Sequence, residues 1–234
     1  KGSVTKNNKA TVYLGAGKDG YLWDGTICEL MVFNHELTDQ ELEQVYTYLN
    51  DTYGTQLPVD KAEIPEDGLI LHADATQGVE AGEDGKVSAW TVDASGQAVT
   101  ATQTAEGSMP TVVVDKAGNV LGVRFDGSND FLKIGLDTDY FNNKSAMTAV
   151  IYAKPEMTSP TSMDTNHNSS VLYFGEKGGG WSGLYVSAYT NGMAGRFGTG
   201  TTNYRGVLYQ NGSYTDAFTT ALIKDGTTDT VWIN

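Results

Sequence analysis

Short apolar runs, broken repeatedly by Asp-Gly and Asn-Gly pairs, constrain this chain more than any other feature. Asp19-Gly20, Asp84-Gly85, Asp126-Gly127, Asn191-Gly192, Asn211-Gly212 and Asp225-Gly226 all carry that signature. Such pairs accept the positive φ of tight hairpin turns at little steric cost. Between them the β-branched and aromatic runs predict strands at Ala10–Leu14, Gly25–Phe33, Gly68–Ala73, Val120–Phe125 and Met147–Ala153. Further strands are predicted at Val171–Phe174, Gly183–Ala188, Gly206–Tyr209, Thr219–Ile223 and Thr230–Ile233. So many short strands point to an all-β chain, an antiparallel jelly-roll sandwich of two sheets. At 234 residues with 39% hydrophobic content, the chain suffices for one large domain of this kind.

One segment breaks the pattern. Thr38-Asp-Gln-Glu41 is a capping box, in which hydroxyl and carboxylate satisfy each other's backbone amides. Leu37 and Leu42 sit where a hydrophobic staple belongs, and Leu42, Val45, Tyr46 and Leu49 recur on one helical face. Gly54 is the expected left-handed stop. The expected element is one short helix lying across the sheet. Thr55–Asp67, with two prolines, mixed charge and no periodicity, reads as a linker.

Charge and composition narrow the function. A formal charge of −14 leaves no basic stripe for a phosphate backbone, so a nucleic-acid partner is not expected. No apolar run approaches the ~18 residues of a membrane span, so no membrane insertion is expected. The single Cys28 has no partner for an internal disulfide and reads as a buried thiol between Ile27 and Leu30. Low cysteine with high acidity suits a bacterial extracellular or cell-surface protein.

Several chemistries are proposed by motif and rejected by context. Gly15-Ala-Gly-Lys-Asp-Gly20 matches a dinucleotide fingerprint, but Tyr21-Leu-Trp-Asp-Gly leads into a strand and not a helix. A glycine-rich hairpin is expected there. The histidines His35, His72 and His167 lie far apart, and no G-x-S-x-G occurs, so a nucleophilic triad is not expected. Asp126 and Asp130 flank a turn and read as caps of backbone amides. No cofactor is required; calcium is the one candidate, with Asp164, Asn166 and Asn168 as alternate oxygen ligands. That loop lacks the sixth-position glycine and places Gly175 where a bidentate glutamate belongs.

Gly68-Leu-Ile-Leu-His-Ala-Asp74, Val87-Ser-Ala-Trp90 and Val123-Arg-Phe-Asp-Gly-Ser-Asn-Asp-Phe-Leu132 resemble the opening of laminin-G-like, concanavalin-A-like domains of bacterial surface proteins. Gly25–Asn34, followed by Leu37-Thr-Asp-Gln-Glu-Leu42, resembles the same family's closing strand and helix. The closing part therefore precedes the opening part. Residues 1–54 would hold the closing strands and helix, 55–67 the linker, and 68–234 the opening and middle strands. The expected whole is one circularly permuted domain, with domain-swapped self-association as the alternative. Rejoining Asn234 to Lys1 would then pair Ala10–Leu14 with Thr230–Ile233.

The resemblance implies carbohydrate or cell-surface recognition more than chemistry. Related glucanases carry E-x-D-x-E on one strand, whereas Glu29 is the only carboxylate within Gly25–Phe33 and matches a structural acidic position of the family. Sugar recognition needs flat aromatic faces beside planar polar groups. Trp181, Tyr185 and Tyr189, with Asn203, Tyr204 and Arg205, supply both and are the candidate ligand residues. If Leu184, Val186 and Ala188 face inward, Tyr185 and Tyr189 share the outer face. Trp90 and Trp232 read as core. The expected function is a non-catalytic module for a glycan or a host or matrix surface, in a larger secreted protein. A structural spacer repeat is the alternative, and glycoside hydrolysis the weakest reading.

Overall fold

The computed structural model describes residues 11–17, 22–54, 63–137, 140–141, 144–157, 170–175, 183–190, 192–198, 206–210, 212–225 and 228–233. Among these, sixteen strands pair into a single antiparallel sheet. In chain order its strands begin β1 (Thr11–Leu14), β2 (Asp24–Phe33), β3 (Leu69–Asp74), β4 (Val79–Ala81), β5 (Val87–Ala94) and β6 (Gln97–Thr102). They continue β7 (Thr111–Val114), β8 (Val120–Asp126), β9 (Leu132–Ile134), β10 (Ala146–Pro155) and β11 (Leu172–Gly175). The last are β12 (Gly183–Tyr189), β13 (Gly192–Gly198), β14 (Gly206–Gln210), β15 (Phe218–Asp225) and β16 (Thr228–Ile233). The main path runs β14-β13-β12-β11-β1-β9-β6-β5-β3-β2-β10-β15-β16. The sheet curls until β10 lies near β12 and β14 near β16. The all-β expectation holds, with one α-helix among the described residues.

Curling places one face inside. Val12 and Leu14, Leu30 and Val32, Leu132 and Ile134, Ile151 and Ala153, and Leu172 and Phe174 all point there and are buried. Each is separated by one residue, the period of a pleated strand. Burying a side chain of this size contributes roughly 1.5–3 kcal/mol. Trp23 and Trp90 are fully buried in the same core, as expected for Trp90. Their indole N–H groups donate to Ala188 O at 2.8 Å and Asp74 O at 3.2 Å, so neither leaves a buried donor unpaired.

The opposite face of β2, β10 and β15 is covered by the helix α1 (Asp39–Tyr53). Thr38 caps it as expected: its hydroxyl accepts from Glu41 N at 3.3 Å, and the Glu41 carboxylate accepts from Thr38 N at 2.8 Å. Leu37 and Leu42 join Val45 and Leu49 against Met31, Phe33, Val150, Ala221 and Ile223. Tyr46 is only half-buried and stays outside this cluster; Tyr48 and Tyr53 pack against it instead. Tyr53 extends the Leu42–Leu49 stripe by one turn and stacks on Tyr152 at 4.6 Å. Gly54 ends the helix with φ −90°, in the right-handed region, and its N–H still donates to Asn50 O. The left-handed stop is therefore absent, because the helical bond pattern continues to the last residue.

The N-terminal segment belongs to the same sheet as the rest. β2 pairs with β3, β8 and β10 within the chain. The pairing of β1 differs from expectation. Both its edges are filled, by β9 and β11, with Val12 opposite Ile134 and Phe174. β16 instead folds back on β15, Asp225 opposite Thr228. A local hairpin closes at small entropic cost, whereas β1 gains two apolar neighbours at the sheet's middle. Strands β4, β5, β6, β7, β9 and β13 were not among the predicted runs; Gln97-Ala-Val-Thr-Ala-Thr102 and Gly192–Gly198 are too polar or glycine-rich to stand out. Of the predicted linker, residues 55–62 lie outside the described residues, and Ile64 packs on the helix cluster.

Candidate functional site

A cleft of ≈ 260 Å³ opens on the outer side of β1, β9 and β11. Because Val12 and Leu14 point into the core, alternation turns Tyr13 outward. Tyr13 is the register partner of Tyr173 on β11, and both line the cleft. Phe131 adds an edge-on contact with Tyr13 at 5.8 Å. Ala16, Gly17 and Leu22 form the opposite wall, so the motif that mimics a nucleotide fingerprint becomes the flank of an apolar cleft. Ala16 is bridged antiparallel to Leu22 and β2 follows directly, while residues 18–20 of the motif lie outside the described residues. Gly15 has φ +73°, and a Cβ there would lie 2.1 Å from the Phe125 ring, so only glycine fits.

The mouth is polar and fixed by a carboxylate turn. Asp126 Oδ1 accepts from Ser128 N at 2.8 Å and Asn129 N at 3.1 Å, and Asp130 Oδ2 accepts from Asp126 N at 3.1 Å. Both acids cap backbone amides, as their positions around the turn suggested. Burial draws the Asp126 carboxyl upward, but the Ser128, Asn129 and Asp130 amides outweigh it and hold it low. Burial, and then the Asp126 charge, push Asp130 up to about 6. The turn presents Asn129 and Phe131 to the cleft, beside Ser108.

The predicted ligand residues fall around this place unevenly. Trp181, Asn203, Tyr204 and Arg205 lie outside the described residues, as do Asp164, Asn166 and Asn168 of the calcium candidate. Tyr185 lies in β12, opposite Tyr173, and is in turn opposite Arg196 of β13. Arg196, Tyr185, Tyr173, Tyr13 and Lys133 thus occupy one register line across neighbouring strands. Adjacent members of such a line stand about 4.8 Å apart. Tyr189 departs from expectation: it is 1% exposed and packs with Tyr173, Tyr13 and Met157. Alternation does put Val186 and Ala188 inside, but the outer face near Tyr189 is itself covered. Tyr13, Phe131, Tyr173, Asn129 and Ser108 were missed by sequence reasoning. The available signal was the lone tyrosine between Val12 and Leu14.

A second polar cluster lies under the helix. Glu29 is 1% exposed and faces Asp74 across β2–β3 and Tyr152 across β2–β10. His72 Nε2 lies 2.6 Å from Glu29 Oε1, while Glu29 Oε2 makes no hydrogen bond. Burial raises the Glu29 pKa, opposed by His72 and reinforced by the Asp74 charge. Asp74 is occupied by its own turn, accepting from Thr76 N at 2.8 Å, Thr76 Oγ1 and Gln77 Nε2. Cys28 forms the bulge beside Glu29, where burial and then the Glu29 charge push its thiol up to about 12. Among the described residues no three His, Cys, Asp or Glu side chains converge to hold a metal ion. Nor is any described helix long and apolar enough to cross a membrane.

Comparison with models of protein families, with curated proteins and with solved structures found no match to this chain. The site is therefore read from its own geometry.

Proposed function

We propose that this chain is a non-catalytic recognition module for carbohydrate or a cell surface, within a larger secreted or surface protein of bacterial type. The observation that carries this reading is the cleft in which Tyr13, Phe131 and Tyr173 meet under a rim of Asn129 and Ser108. Aromatic walls suit the C–H faces of a sugar ring, and the rim groups suit its hydroxyls. We further propose that the two arms of the curled sheet form a permuted jelly-roll sandwich of the concanavalin A kind. The closing approach of β10 to β12 supports that arrangement. Trp181 and the 203–205 segment adjoin β12 and β14 in sequence and stay in the proposed set of ligand residues.

A glycan array with and without calcium, followed by titration calorimetry on a hit, tests the reading. Tyr13→Ala should weaken binding about tenfold or more, since a lost aromatic wall leaves only solvent-competed hydrogen bonds. Array silence would favour a spacer repeat, and release of reducing sugar from polysaccharide would favour a hydrolase. Unchanged affinity in Tyr13→Ala would remove the cleft as the site.

A further inference from the structure

We infer that the cleft selects sugars bearing an N-acetyl group over plain hexoses and acidic sugars; this rests on the carbohydrate reading above. The inference follows from what the rim has left to offer. Asn129 Nδ2 donates to Gly107 O, which turns its Oδ1 into a free acceptor. Among the described residues no other hydrogen bond engages that oxygen, and none engages Ser108 Oγ. The mouth thus presents one acceptor and one hydroxyl above an apolar floor. An acetamido group matches that set. Its N–H can donate to Asn129 Oδ1, its carbonyl can accept from Ser108 Oγ–H, and its methyl can rest against Phe131 or Leu22.

Size and charge point the same way. At ≈ 260 Å³ the cleft is smaller than the roughly 300–1,000 Å³ of sites for drug-sized ligands, so it holds one ring or substituent. The chain carries a formal charge of −14, which disfavours uronic acids and other anionic sugars. A plain hydroxyl in place of the acetamido group could meet the same rim partners but would leave the apolar floor unfilled.

Titration calorimetry of the whole chain, at high salt to screen the ammonium groups of the de-acetylated sugar, against the trimer of N-acetylglucosamine, its de-acetylated counterpart and a glucose trimer tests the inference. The acetylated trimer should bind about tenfold more tightly than the others, the discrimination expected of one matched polar group and one methyl. Ser108→Ala, which breaks no intramolecular bond, should narrow that gap several-fold and leave the melting temperature unchanged. Repeating the comparison with galactosamine-based sugars separates the acetyl group from ring stereochemistry. Equal affinity for acetylated and plain trimers, both lost in Tyr13→Ala, overturns the acetyl preference and keeps the carbohydrate reading. Absence of binding to every sugar overturns both.

Discussion

Replacing Glu29 by glutamine should flatten the pH dependence of stability above about pH 4.5. Glu29 is nearly fully enclosed; His72, at one oxygen, and more weakly the Tyr53 hydroxyl favour its charge against burial. Tyr53 and Tyr48 come from the helix side, Asp74 from β3 and Cys28 from the adjacent bulge, and burial with the Asp74 charge outweighs His72. The folded-state pKa is therefore raised above the ordinary 4.5. A raised acid binds its proton more tightly in the folded state, so its contribution is full below the unfolded value. It is lost as pH climbs through the folded value. The steepest slope one proton can give is about 1.4 kcal/mol per pH unit. With a urea m-value of about 2–3 kcal/mol/M, this moves the midpoint by about 0.5 M per unit. Asp130 slopes the same way, while Asp126, Asp115 and Glu41, all lowered, slope oppositely. The informative quantity is thus the wild-type profile minus the Glu29→Gln profile, in which those distant groups cancel. Urea midpoints followed by tryptophan fluorescence at half-unit steps would supply it. Parallel profiles would refute the argument, since they would mean that Glu29 titrates alike in folded and unfolded chains.

Three further outcomes follow from the packing around the helix. Leu49→Ala should lower stability by about 2–4 kcal/mol, because the 2%-exposed side chain fills the space between α1 and the sheet; an unmoved urea midpoint would contradict that docking. Thr38→Ala should cost about 1 kcal/mol by opening the capping box, read from the same denaturation curves. Cys28 should resist an aromatic disulfide reagent at pH 8 in the native protein and react fully after denaturation, since the buried thiol yields little thiolate.

What the sequence disclosed was local. The capping box at Thr38 and Glu41, the staple of Leu37 and Leu42, and the strands with strong β-branched alternation appear where they were expected, because each is decided within a few residues. Pairing is decided by the whole chain, and there the reading failed for β1. Ala10–Leu14 looks equally ready to meet any apolar strand; only its double insertion between β9 and β11 distinguishes the outcome. Polar strands such as Gln97–Thr102 were invisible for the related reason that a sheet neighbour, not composition, makes them strands. Tyr189 misled because alternation tells which face a residue takes but not whether that face is covered.

The same distinction explains why the cleft could not be read from the chain. Its aromatic members come from β1, from the turn before β9, and from β11, with Tyr13 more than a hundred residues ahead of the other two in sequence. They meet because β1 enters the middle of the sheet with Val12 and Leu14 turned inward. Tyr13 is then left facing outward between β9 and β11, and the Asp126 turn brings Phe131 against it. The pairing that departed from expectation is therefore also the pairing that builds the site. If β1 had joined β16 at the far end of the sheet, Tyr13 would lie apart from both Phe131 and Tyr173. A single register choice thus couples the packing of the N-terminal segment to the existence of a binding surface.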